Sequence, residues 1–257
     1  MKAYTIRKEI LSSESVALPD LNPTSLERPA YLLNVPFSLQ AETPNNVWMQ
    51  ELKPYERHID IKKAVNQFSQ LYHFLAAESM VYLLPTPKLH GYQDLVYTAN
   101  LGIVIDHLSD HNTVILSNFS SKVRTPETDV GKSFFEQMGY NIAIPPFHFE
   151  GEAELKHLFD NVYIGGYGMR SDKRAYAWMQ EKFDMKIITL EEKDPYLYHL
   201  DCTDLTLTRQ DTMDSTQMYT KVEIKQIDVE THTINDNKYY ARSVMCNYLP
   251  TRNVLHN

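Results

Sequence analysis

Length, composition and charge restrict what this chain can be. Its 257 residues, of which 43% are hydrophobic and 23% charged, suit one large globular domain or two small ones and exclude low-complexity or fibrous structure. A net charge of −8 disfavours nucleic acid as a partner, because phosphate binding requires clustered Lys and Arg.

The sequence also contains no predicted targeting or membrane segment. The most apolar region, residues 74–84, is interrupted by Glu78 and is too short to cross a bilayer. Residues 1–9 have no continuous apolar stretch, so no signal peptide is predicted. Cys202 and Cys246 fit neither a disulfide framework nor the spacing of a CxxC metal site. We therefore expect a reduced, cytoplasmic protein with no metal, no cofactor and no membrane contact.

Helical and extended patterns alternate after an irregular, polar lead-in over residues 1–29. Apolar residues recur at helical spacing over residues 60–77, which predicts an amphipathic helix. Strands are predicted next, over residues 80–84, 95–105 and 113–116. The last two strands are expected to pair across a turn at residues 106–112.

The second half of the chain repeats this cycle. Pro126 opens a helix that Gly139 closes, and Ser171 is expected to cap a helix that runs through Phe183. Further strands are predicted over residues 141–144, 161–164, 185–190 and 196–208. Because strands and helices alternate throughout, the pattern favours the α/β class. A fifth cycle is only begun at residues 243–255, so we expect the chain to be a fragment.

Four stretches carry polar residues where a strand should be apolar, and such conflicts are typical of functional sites. In chain order they are DLVYTAN at 94–100, FEGEAE at 149–154, GGYGMRSD at 165–172 and YHLD at 198–201. None of the four motifs is specific for a protein family when it is taken alone. Their order and spacing together are specific.

As a set, these motifs resemble bacterial members of the amidinotransferase and dimethylarginine dimethylaminohydrolase superfamily. The sequences LNVPF at 33–37, NVWM at 46–49 and CN at 246–247 are also similar to family segments. The family fold is the pentein, a propeller of five ββαβ-like modules around a central active site. The resemblance therefore implies a pentein-like α/β propeller of repeated ββαβ modules over residues 30–257, with the fifth module incomplete.

The resemblance also implies a small-molecule substrate, a guanidino or ureido compound that is similar to an amino acid. A guanidinium is a planar cation rich in N–H donors, so carboxylates bind it through charge-assisted hydrogen bonds. In the family a thiolate attacks the guanidino carbon, and a histidine transfers the proton to the departing amine. The matching residues are Glu150 for the carboxylate and His199 for the acid and base. Glu152 remains an alternative to Glu150, and the later acidic position falls on Glu154.

The remaining family positions fall on residues that would bind the substrate. Asp94 matches a substrate-binding aspartate, and Asp201 follows the matching histidine by two residues. Arg124 and Arg170 match arginines that bind the substrate's α-carboxylate, which guanidinium groups can do in a bidentate manner. Asn100 stands where dimethylaminohydrolases have a second guanidinium-binding Asp, although the TAN pattern is also similar to succinylarginine dihydrolases. The exact substrate and the oligomeric state stay open.

The family nucleophile is a cysteine near the extreme C-terminus, after a glycine-rich turn. Cys246 precedes that region and matches a structural position. Cys202 lies three residues after His199 in a predicted strand, where alternation would point neighbouring side chains to opposite faces. We therefore expect this chain to be inactive, as a fragment of a hydrolase or amidinotransferase. The alternatives are a pseudoenzyme that binds arginine-like ligands without turnover and, with less support, a purely structural α/β domain.

Overall fold

A computed structural model of the protein describes residues 29–109, 112–202, 204–206, 211–215 and 230–234. Most of the predicted lead-in, the predicted fifth cycle and Cys246 lie outside the described residues. Four α-helices lie within them: α1 Val47–Glu51, α2 Ile61–Ala76, α3 Thr125–Gln137 and α4 Lys173–Phe183.

The strands form one two-stranded and three three-stranded sheets within the described residues. Their bounds are β1 Ala30–Asn34, β2 Met80–Leu84, β3 Gly102–Ile105, β4 Thr113–Leu116, β5 Asn141–Ala143, β6 Leu155–Phe159, β7 Val162–Tyr167, β8 Lys186–Glu191, β9 Asp204–Thr206, β10 Asp211–Ser215 and β11 Glu230–Ile234.

One strand–helix pattern recurs along the chain. β3 and β4 form an antiparallel pair, and β5 then lies parallel to β4 after α3 crosses over. β6, β7, α4 and β8 repeat this order. The β1–α2–β2 segment has the parallel half of the unit, and β9–β11 again combine an antiparallel with a parallel pair. Parallel neighbours need a long crossover, which the helices supply. The predicted α/β class is confirmed.

Helices α2 and α4 begin where side chains satisfy their free N–H groups. The Asp60 carboxylate accepts the backbone N–H of Lys63 at the start of α2, at 2.9 Å. At α4 the cap is Asp172, which accepts the N–H of Arg174 at 2.9 Å. The prediction that Ser171 caps this helix was wrong. The Ser171 hydroxyl instead accepts the backbone N–H of Glu150 at 3.2 Å.

Two predicted strands are largely turns. Within residues 95–105 only β3 is extended, because residues 98–100 form a 3₁₀ helix. Within residues 196–208 the described strand is β9, preceded by a 3₁₀ helix over residues 200–202. In both turns an N–H bonds the carbonyl three residues back, from Asn100 to Tyr97 at 3.0 Å and from Cys202 to His199 at 2.9 Å. Strand β6 was missed, because the acidic segment before it hid its apolar residues.

The main core lies between the β3–β5 sheet, the β6–β8 sheet and α4. Its fully buried members include Ile105, Ile115, Phe149, Tyr163 and Met179. Phe149 has no exposed surface, and its position fixes the segment that follows it. No helix in the described part of the chain combines the length and the apolar character needed to cross a bilayer.

Candidate active site

The predicted carboxylate and imidazole are brought together. Glu150 directly follows the buried Phe149, whose N–H bonds the Asn118 carbonyl at 3.0 Å. His199 lies just before the 3₁₀ helix at residues 200–202. The His199 Nε2 and Glu150 Oε2 atoms are 2.8 Å apart, and both side chains are buried. A carboxylate in this position fixes the orientation of the imidazole ring.

Three further donors converge on Glu150. The N–H and hydroxyl of Ser120 donate to its Oε1 at 3.2 and 2.7 Å, and Nη1 of Arg170 lies 3.5 Å from its Oε2. Burial alone raises the pKa of Glu150, but His199, Arg170 and Ser120 outweigh it and lower that pKa to about 2. Glu150 is therefore an ionised carboxylate in a buried setting.

Arg170 shows how this site holds a guanidinium. Its Nη2 donates to the Asn45 carbonyl at 2.6 Å, and its guanidinium carbon lies 4.7 Å from the centre of the Tyr198 ring. One planar cation thus contacts a carboxylate, a carbonyl and an aromatic face.

The structure separates the two candidate glutamates. Glu150 contacts His199, whereas the Glu152 side chain is exposed. They differ because Glu150 precedes the 3₁₀ helix over residues 151–153, whereas Glu152 lies within it. The geometry therefore favours Glu150 as the partner of His199 and leaves Glu152 as an exposed carboxylate two residues further along the chain.

Gly151 packs this turn against the Asn100 segment. Its φ is +68°, and a Cβ there would lie 2.6 Å from the Ala99 carbonyl oxygen and 2.7 Å from the Asn100 carbonyl carbon. Asn100 is buried, and its Nδ2 has no hydrogen-bond partner among the described residues. A buried unpaired donor next to Glu150 is suited to a ligand acceptor.

Asp94 and Arg124 lie in a neighbouring buried network. Arg124 donates to Glu127 Oε2 through Nε at 3.0 Å and Nη2 at 2.8 Å, and to the Asp94 carbonyl at 3.2 Å. Burial raises the pKa of Glu127 to about 7, although Arg124 opposes this. Asn45 joins this network to the first, because its Nδ2 donates to Asp94 Oδ2 at 2.5 Å and its carbonyl accepts from Arg170.

Asp201 and Cys202 lie in the turn after His199. Burial raises the pKa of Asp201, and Cys202 Sγ is 3.7 Å from Asp201 Oδ1. The argument that strand alternation separates His199 from Cys202 was wrong, because this segment is a turn. In a 3₁₀ turn, residues three apart lie on one side.

Sequence reasoning missed several residues that complete the site. Ser120, Asn45 and Glu127 each bond a predicted residue. Two of them carried a signal, because Asn45 directly precedes the NVWM segment and Glu127 lies three residues after Arg124 on a predicted helix.

No cluster of three or more metal-ligating side chains occurs within the described residues. A groove of about 830 Å³ lies elsewhere, lined among others by Phe37, Tyr55, Arg57 and Leu89. None of the predicted site residues lines it.

No family model matches the chain. Among curated proteins it is 34% identical over 143 residues to the bifunctional arginine dihydrolase/ornithine cyclodeaminase AgrE of Nostoc sp.. That alignment covers 54% of this chain and 19% of the relative. The chain is also 29% identical over 157 residues to the N(G),N(G)-dimethylarginine dimethylaminohydrolase of Mycobacterium tuberculosis, covering 61% of this chain and 48% of the relative. The chain thus matches less than half the length of each.

Solved structures of the same kinds of protein are similar to this chain. Unliganded AgrE superposes with a TM-score of 0.73 at 26% identity, over 82% of this chain and 30% of that one. A substrate-bound N-terminal domain of ArgZ, a cyanobacterial arginine dihydrolase, gives 0.72 at 23% identity over 82% and 77% of the two chains. A dimethylarginine dimethylaminohydrolase gives 0.64 at 14% identity, over 83% and 80%.

The predicted resemblance is confirmed. The chain has the pentein fold and resembles the guanidino-modifying enzymes of that superfamily in sequence and structure. The number of propeller modules and an incomplete fifth module stay predictions.

Proposed function

We propose that this chain forms the substrate-binding and proton-transfer part of a hydrolase that acts on the guanidino group of an arginine-like amino acid. The observation that carries the proposal is the 2.8 Å contact between His199 and the ionised Glu150, with a guanidinium held beside them. The names of the curated relatives describe hydrolysis at the guanidino group of arginine or dimethylarginine.

The site chemistry suits a flat cation that also bears a carboxylate. Glu150, Glu152 and Asp94 supply carboxylates for the substrate guanidinium. The Arg170 contact with Glu150 is long, at 3.5 Å, so Arg170 can exchange it for the substrate's carboxylate. Asn100 contributes an unpaired amide donor that suits a substrate or product oxygen.

The reaction needs one nucleophile and one proton shuttle. A thiolate adds to the guanidino carbon, and His199 donates its proton to the nitrogen as the carbon–nitrogen bond breaks. The amine leaves, and the carbon stays on sulfur as a thiouronium. Water then adds to that carbon, His199 accepts a proton from the water, and the ureido product departs as the thiolate is restored. Transfer to a second amine in place of water would make the enzyme an amidinotransferase, but the relatives favour hydrolysis.

We propose that the thiolate comes from a cysteine outside the described residues. Within them the cysteine is Cys202, and its thiol is directed at Asp201. This favours a second candidate for the chain as given, which is binding of arginine-like ligands without turnover.

The test is an assay of ammonia, citrulline and ornithine release by the full-length protein from arginine and methylated arginines. His199→Ala and Glu150→Ala should each lower turnover by at least about 100-fold. Glu181→Gln, which changes an exposed carboxylate on α4, is the matched control and should leave turnover unchanged. Unchanged turnover in both site variants would refute the assigned roles. Arginine binding by calorimetry without any turnover would favour the second candidate.

A further inference from the structure

Two buried acidic side chains, Glu154 and Glu192, form a pair close to the Glu150–His199 contact. Glu154 has no exposed surface, and Glu192 is 2% exposed. Both carboxyls pack against Gly166, where a Cβ would lie 2.8 Å from Glu154 Oε2 and 2.8 Å from Glu192 Oε1. The space left by this glycine is therefore filled by two carboxyl groups that face each other.

This pair has too few donors for two negative charges. The backbone N–H of Leu200 donates to Glu154 Oε2 at 3.2 Å. Apart from the contact between the two carboxyl groups, the Glu154 Oε1 atom and both Glu192 oxygens have no hydrogen-bond partner among the described residues. The nearby cation, Arg170, is already bonded to Glu150 and Asn45. Two buried carboxylates without a cation between them cannot both ionise.

The charged groups around the pair favour its protonation. Glu150 and Asp201 face it with negative or potentially negative charge, and Arg170 supplies the opposing positive charge. Burial, with Asp201 and Glu150, raises the pKa of Glu192 to about 8. Burial and the two neighbouring glutamates also raise the pKa of Glu154.

The pair is tied to the segment that carries His199. Leu200, which donates to Glu154, is the residue after His199, and Glu154 is four residues after Glu150. The Glu154–Leu200 bond is thus a second link between the two segments that hold the imidazole and its carboxylate. The Tyr176 hydroxyl also donates to the Glu154 and Gly166 carbonyls, which holds the base of the pair in place.

We propose that Glu154 and Glu192 share one proton and act as a positioning pair for His199. With the proton present, one carboxyl donates to the other, and Glu154 keeps its bond to Leu200. Loss of the proton places two negative charges against each other, so the carboxyl groups move apart, and the segment that carries Leu200 and His199 moves with Glu154. The pair sets the alkaline limit of the site and does not touch the substrate.

Infrared difference spectroscopy of the intact chain tests the shared proton without any enzyme activity. At neutral pH the wild-type spectrum should contain a carboxylic-acid band, in addition to the band of Glu127, that disappears in both Glu154→Gln and Glu192→Gln. Each glutamine can donate to the remaining carboxylate, so each variant no longer needs the proton. Glu191→Gln changes a half-exposed neighbour that pairs with Lys193, and this variant should keep the band. Retention of the band in either buried variant would overturn the proposal.

A stability series adds an independent readout. Because the folded pKa of Glu192 is raised, its ionisation costs stability as the pH rises from about 4.5 to about 8. The denaturation midpoint of Glu191→Gln should fall across that range relative to the midpoint of Glu192→Gln. Parallel curves for the two variants would contradict the pair.

The activity readout rests on the proposed function. In the full-length protein, Glu192→Gln should extend kcat to higher pH with KM unchanged, while Glu192→Ala should lower kcat about tenfold at neutral pH. If the protein turns over no guanidino substrate, the proposed function fails, but the infrared and stability results still decide whether the pair exists. An unshifted alkaline limb in Glu192→Gln would refute the positioning role.

Discussion

Glu150 and Glu154 are four residues apart and equally buried, with no exposed surface, yet their ionisation is opposite. Glu150 receives donors from His199, Arg170 and Ser120, and its pKa falls to about 2. Glu154 receives one backbone N–H and faces Glu192, and its pKa is raised. Because burial is the same at both positions, the partners decide the charge.

This difference accounts for the arrangement of charge around His199. A charged carboxylate at Glu150 can orient an imidazole and attract a cation. A second negative charge at Glu154 would compete with Glu150 for the imidazole and for the cation. We infer that the shared proton removes one of the two charges from the Glu154–Glu192 pair, so the attraction stays with Glu150 on the substrate side of the site.

The largest expected effect comes from replacing the glutamate with a neutral glutamine at each of these two positions. Glu150→Gln keeps the shape but removes the charge that contacts His199, so turnover should fall about 100- to 10,000-fold in the full-length protein. Glu154→Gln keeps an acceptor for Leu200 and should cost less than about tenfold at neutral pH. Steady-state assays of both variants decide this. Equal losses of turnover in the two variants would contradict the proposed difference between Glu150 and Glu154.

The backbone between the two carboxyls should be the next most sensitive feature. Gly151→Ala combines a φ of +68° with backbone atoms at 2.6 and 2.7 Å, so we expect a loss of about 3 kcal/mol in unfolding free energy. Gly91→Ala has a φ of +87° with nothing within 4 Å and should cost only about 1 kcal/mol. Urea denaturation measures both. Similar losses would show that the close contact at Gly151 is unimportant.

The dependence of unfolding free energy on acidic pH tests the ionisation of Glu150 separately. The folded pKa of Glu150 is depressed, so its contribution is fully present above about pH 4.5 and is lost as the pH falls to about 2. That shift corresponds to about 3 kcal/mol. Glu150→Gln should remove this part of the acid dependence, whereas Glu181→Gln should retain it. Identical acid limbs in the two variants would contradict the pairing.

Arg170→Lys should have a smaller effect. Lysine keeps the positive charge but loses the planar contact with Tyr198 and the geometry of the bond to Asn45. We expect KM to rise about tenfold with kcat changed less, because the proposed role of Arg170 is substrate binding. A fall in kcat alone would instead assign Arg170 to the chemistry.

Much of the fold could be predicted from local patterns. The helices near residues 60–77 and 126–139 follow from periodicity and end signals, and the order of four motifs indicated that Glu150, His199 and Arg170 converge. The 3₁₀ turns at residues 98–100 and 200–202 were mistaken for strands, because polar residues at a site obscure local conformation.

The supporting contacts could not be predicted from sequence. Ser120 contacts Glu150 from 30 positions earlier in the sequence, and Glu154 and Glu192 pack together against Gly166 on β7. Such contacts depend on how segments distant in the sequence pack, and no local spacing encodes them.

The most direct test of the account is a carboxyl ¹³C NMR titration of glutamate-labelled protein, with Glu150, Glu154 and Glu192 assigned from their Gln variants. The account predicts that Glu150 stays ionised down to about pH 2 and that Glu192 takes up a proton near pH 8. Titration of both side chains near pH 4.5, the ordinary value for a glutamate, would contradict it.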